Sequence, residues 1–162
     1  MLFPFSKEYS RPLKRRVAAS EVGMVTSYIQ EFINGRTADD IFIEGNQVSF
    51  DVDFFRIRWR GDLIGTIDNG LFIITDDNNG SRLIYKFYMY RMVGLICLSA
   101  IIGGFFLQQI WVAFLFFCVG IVNWCIMMVR HEKMLANIVL GINSLLDDQC
   151  KTLLDDQLKI TG

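Results

Sequence analysis

Residues 92–129 contain no Asp, Glu, Lys, Arg or His across thirty-eight positions, and Arg91 and Arg130 close the run on either side. No other feature restricts the fold as strongly, because it dictates what can surround the segment. One straight helix through the run would be about 57 Å long at about 1.5 Å per residue. A bilayer's hydrocarbon core is about 30 Å thick and takes about 20 residues to cross. The run is too long for one span and suits two. Gln108-Gln109, the strongly polar pair near its middle, divides it. The pattern predicts a transmembrane helical hairpin, residues 87–107 and 110–129, with the lipid bilayer as its surroundings.

Flanking charge then orients the hairpin. Lys14, Arg15, Arg16, Arg82, Lys86 and Arg91 precede the first span, Arg130 and Lys133 follow the second, and the connecting turn has no charge. Positive flanks stay inside, so both termini are expected to be cytoplasmic, in an inner or cell membrane. The apolar start, residues 1–5, is short and precedes its basic residues, so a cleaved signal is not expected. A net charge of −1 gives no footprint for nucleic acid as a partner. The four cysteines lack CxxC spacing and there is one histidine. Neither a disulfide framework nor a zinc site is expected, and no cofactor is called for.

Outside the run, the periodicity changes along the chain. Residues 1–16 read as an irregular apolar arm with Pro4 and Pro12, lying on the membrane surface, docked on a partner, or packed on its own domain. Residues 18–34 have helical spacing, with Val22, Val25, Ile29, Phe32 and Ile33 on one side and Gly35 as the stop. From Asp39 the period becomes two. Ile41 and Ile43, then Val48, Phe50 and Val52, alternate around a Gly45-Asn46 turn. At Phe54-Phe55 the alternation slips by one residue, which predicts a β-bulge. Further strands are expected at 63–67, 71–75 and 82–90, the last running into the first span without a linker. Residues 130–162 form a third helical pattern. Its apolar side is Leu135, Ile138, Val139, Ile142, Leu146 and Leu153, and it carries the tandem repeat SLLDDQCK-TLLDDQLK. That side has three possible uses: packing on the strand domain, lying on a membrane, or association with a partner or second copy, the use favoured here.

The expected architecture is therefore an α+β membrane protein. An arm (1–16) leads into an N-terminal helix on a four- or five-stranded antiparallel sheet (17–86), in the element order of a cystatin-like roll, or else a small barrel. A transmembrane helical hairpin (87–129) and a C-terminal amphipathic helix (130–162) follow.

Chemistry is sparse. There is no phosphate loop, dinucleotide fingerprint or nucleophile elbow. Asp76 to Gly80 shares its composition with a calcium loop but lacks the alternating ligands and distal glutamate, and reads as a hairpin turn. His131 reads as a residue at a membrane exit. Arg56, Arg58 and Arg60 alternate on one strand, so their guanidinium groups share a face fit for phosphate or a partner's carboxylates. Ser99 with Gly103, and Ala100 with Gly104, give small residues four apart for close helix packing. Asn123 is the polar residue of the second span, available for a hydrogen bond to the first or to a neighbour. No enzyme is expected. The pattern fits a non-enzymatic integral-membrane scaffold or assembly subunit, partnered by other subunits or by copies of itself. An oligomeric pore-forming effector and a membrane-apposed lipid- or ligand-sensing module are the alternatives.

Overall fold

The computed structural model describes residues 6–36, 38, 40–52, 67–78, 80–106 and 110–160. Five strands and three helices follow in the order β1 (Ser6–Pro12), α1 (Val22–Asn34), β2 (Asp40–Glu44), β3 (Gln47–Asp51), β4 (Asn69–Asp77), β5 (Gly80–Tyr88), α2 (Tyr90–Phe106) and α3 (Ile110–Ile160). The strands form one antiparallel sheet in the order β1-β5-β4-β3-β2.

Local chemistry accounts for most of these elements. In α1 the helical spacing buries Val25, Ile29 and Ile33, and the Gly35 amide donates to Glu31 O at its end. Glu44 pairs with Gln47, leaving Gly45-Asn46 as a two-residue turn. Gly45 takes φ +58°, which such tight hairpins require and a glycine supplies without strain. Along β5 every second residue from Ser81 to Phe87 is buried, the period-two pattern of a sheet with one covered face.

The covered face supports a ladder of rings. Phe50 stacks on Phe72 (6.1 Å between centroids), Phe72 on Tyr85 (4.4 Å) and Tyr85 on Phe87 (5.1 Å). Val25, Ile29 and Ile33 from α1, and Leu135, Ile138, Ile142 and Leu146 from α3, complete the core. Two glycines permit close approach. The Phe50 ring occupies the space a side chain at Gly70 would need, and Tyr28 does the same at Gly141.

The membrane reading is corrected here. Among the described residues no helix is long and apolar enough to cross a membrane. At seventeen residues α2 is about 26 Å long, short of the about 30 Å of a hydrocarbon core. The second expected span does not end at Val129. It continues through Arg130, His131, Glu132 and Lys133 within the 51 residues of α3. The transmembrane hairpin, the integral location in an inner or cell membrane, and the orientation with both termini cytoplasmic that followed from it are therefore not supported.

Three further expectations change. The arm is not irregular: Ser6–Pro12 is an edge strand paired with β5 from Ser6↔Tyr88 to Pro12↔Arg82, so a strand precedes the helix. The C-terminal helix is not a separate element but the second half of α3. Its apolar side turns to its own domain, with Leu135, Ile138, Ile142 and Leu146 at most 1% exposed. The expected bulge at Phe54-Phe55 and most of the strand at 63–67 lie outside the described residues.

The N-terminal segment binds α3 along its length. The Tyr9 hydroxyl donates to Met128 O at 3.0 Å, and the Lys14 amide to Asn143 Oδ1 at 2.9 Å. Arg11 pairs with Glu132 at 2.8 Å and Lys14 with Asp147 at 2.7 Å. Arg15 reaches Leu146 O at 3.2 Å while pairing with Glu21. Hydrogen bonding to Arg15 holds the Glu21 carboxyl below the usual range and raises Arg15. The Arg11 and Lys14 pairs are exposed and solvent-screened, so they fix position more than stability.

Candidate functional site: an apolar surface on two helices

Only Met89 separates β5 from α2, so the sheet sets where α2 begins. Asp68 holds that junction. Its carboxylate accepts from the Arg91 amide at 3.0 Å and pairs with Arg91 Nε at 2.8 Å. A carboxylate at a helix N-terminus also meets the positive end of the helix dipole. Arg91 Nη1 donates to Val52 O at 2.8 Å, and the Val52 amide donates to Asp68 O. One arginine thus ties two strand ends to the first turn of α2.

From this junction α2 packs along the first half of α3. The close approach is at Gly120, where a Cβ would come within 2.7 Å of Ile96 Cγ2. The outward sides of the two helices are apolar. Leu95 is 65% exposed, Ile101 66%, Trp111 79% and Phe114 62%. Of the large hydrophobic side chains exposed among the described residues, all but Phe42, Ile43 and Leu140 lie between Tyr90 and Val129. Scattered exposed apolar residues are ordinary; their concentration on two neighbouring helices is what sets this region apart.

The residues expected to act separate accordingly. Ser99 turns to its own helix, its hydroxyl donating to Ile96 O at 2.9 Å. Ala100, Gly103 and Gly104 belong to α2, and their side-chain environment lies outside the described residues. Asn123 is exposed, and among the described residues it has no hydrogen bond to α2. Arg56, Arg58 and Arg60 lie outside the described residues. Among the described residues no group of His, Cys, Asp and Glu is placed to hold a metal ion.

His131 is not at a membrane exit. It is fully buried against the sheet, stacked on Phe87 at 4.4 Å. Its Nδ1 lies 3.1 Å from the Tyr85 hydroxyl, and Nε2 has no hydrogen-bond partner. Burial pushes the imidazole down to about 4, so the ring is neutral at neutral pH. Burial likewise raises Tyr85 well above its ordinary value. Two neutral, enclosed groups make this pair part of the core and not a proton-transfer site open to substrate.

Gly120 and Asp68 are positions that sequence reasoning missed, and His131 is one that it misplaced. Only Gly120 had a local signal, a lone glycine within an apolar helical run. No family model, no curated protein and no solved structure matches the chain.

Proposed function

We propose that the protein is a non-enzymatic assembly subunit that joins a larger complex through the outer sides of α2 and the first half of α3. The observation that carries this reading is the concentration of exposed apolar side chains on those two helices. Fourteen large apolar side chains stand there at roughly half to three-quarters exposure. Burying a large apolar side chain in full yields about 1.5–3 kcal/mol. Covering fourteen half-exposed ones is therefore worth roughly 10–20 kcal/mol, enough to offset association costs of about 4–15 kcal/mol. The α+β domain holds the surface in place through the Asp68–Arg91 junction, and the strap of residues 9–15 secures the other end of α3. A protein subunit, another chain or a second copy, is the partner.

Site-specific photocrosslinking tests this. A crosslinker at Leu98 or Leu115 should yield a discrete protein adduct in cells, and one at Ser27 or Glu31 on α1 should not. Equal crosslinking from both sets of positions would overturn the reading. So would recovery of the Leu98 and Leu115 crosslinks only on lipid.

A further inference from the structure

Halfway along α3 the apolar side ends in cations. Cys125, Ile126, Val129, Arg130 and Lys133 line a shallow groove of about 380 Å³. The order of groups is directional. Ile126 and Val129 are 48% and 53% exposed, and Arg130 and Lys133 follow within one turn. Neither cation has an ion-pair partner among the described residues. Glu132, the one carboxylate of α3 within two turns of them, is already held by Arg11 at 2.8 Å. The groove therefore presents an apolar floor with uncompensated positive charge at one end.

We propose that this groove binds a single-chain anionic amphiphile, its phosphate or carboxylate head on Arg130 and Lys133 and its acyl chain over Cys125, Ile126 and Val129. Charge complementarity selects the head, because a guanidinium and an ammonium on adjacent turns meet an anion with charge-assisted hydrogen bonds. The exposed floor selects the chain, which continues past Ile126 toward Val122, one turn earlier and 58% exposed. This ligand site shares Val122, Ile126 and Val129 with the subunit contact proposed above, so the two occupants compete there; its test uses the isolated chain and reads ligand binding alone.

Cys125 reports on the groove directly, since its thiol is exposed there, while the exposed thiol of Cys150 lies outside it and serves as an internal control. The full chain is treated with a maleimide in the presence of dodecyl phosphate below its micelle concentration. Dodecyl phosphate should slow alkylation of Cys125 and leave Cys150 unchanged. Inorganic phosphate alone, or dodecyl maltoside at the same concentration, should give little protection. Replacing both cations, Arg130→Gln with Lys133→Gln, should weaken the protection by about tenfold or more. These side chains are exposed, so the fold tolerates the change, and unaltered circular dichroism confirms it. Equal protection by dodecyl maltoside would overturn the proposal, as would protection unchanged in the double variant. Protection by anionic vesicles but not by monomeric dodecyl phosphate would overturn it as well.

Discussion

Acid should loosen this protein through one residue, His131. The imidazole is neutral in the core down to a pH of about 4, whereas an exposed histidine in the unfolded chain takes up its proton near 6.5. Between those values the unfolded state binds more protons than the folded state, so stability rises with pH and falls as pH is lowered. The loss starts near pH 6.5 and is complete near pH 4. At about 1.4 kcal/mol for each pH unit, it comes to about 3 kcal/mol. Set against the roughly 5–15 kcal/mol of a typical domain, that is a large share. Among the described residues the ionisable group in contact with the ring is the Tyr85 phenol, raised by burial and uncharged in this range. Glu21, whose folded carboxyl is held low by Arg15, loses its contribution only below the usual carboxylate range. The slope between pH 6.5 and 5 thus belongs to the histidine.

Urea unfolding followed by circular dichroism at half-unit pH steps measures it. His131→Leu alone would orphan the Tyr85 hydroxyl, so the comparison is with His131→Leu combined with Tyr85→Phe, which removes both polar groups. Wild type should lose about 1.4 kcal/mol per pH unit at the steepest point, and the double variant much less between pH 6.5 and 5. Tyr85→Phe alone should keep the wild-type slope. Equal slopes in wild type and the double variant would refute the assignment.

Three other outcomes follow from the packing. Gly70→Ala should destabilise by about 1–3 kcal/mol in urea melts, because the Phe50 ring already fills the space, and Phe50→Leu in the same chain should recover part of the loss. Asp68→Asn should cost about 1.5–3 kcal/mol by removing the charge that pairs with the Arg91 guanidinium and assists the hydrogen bond from its amide, and the Arg91 amide should exchange faster than in wild type in hydrogen-exchange measurements. Lys14→Ala should change the melting midpoint little, since its pair with Asp147 is exposed to solvent and screened.

What the chain disclosed on its own follows the reach of the interactions. The helical spacing from Val22 to Ile33, the turn at Gly45-Asn46 and the alternation of Leu71 to Thr75 and Leu83 to Phe87 depend on neighbours within a few residues, and each could be read directly. The strand at Ser6–Pro12 could not. An edge strand buries little, and its pairing partners lie 70 to 82 residues away. His131 looked like a boundary residue because Arg130, Glu132 and Lys133 surround it. A helix, however, turns about 100° per residue, so it buries one position among exposed charges. The same turn carries α3 through that cluster unbroken. The apolar run was legible as a surface that avoids water, but periodicity did not say what covers it. Of the candidate site, Asn123 and the small-residue pairs were noted, while the close approach at Gly120 depends on a second helix.

The strap of residues 9–15 also sets the order of assembly. Its partners on α3 follow it by 119 to 133 positions in the chain. β1 can pair with β5 once residue 88 has been made, but its contacts with α3 wait for residues 128–147. Contacts of such long sequence separation slow folding, because the closure entropy is spent before the contact is made. Docking of α3 against β1 and residues 13–15 is thus a late event, made after the sheet itself can close.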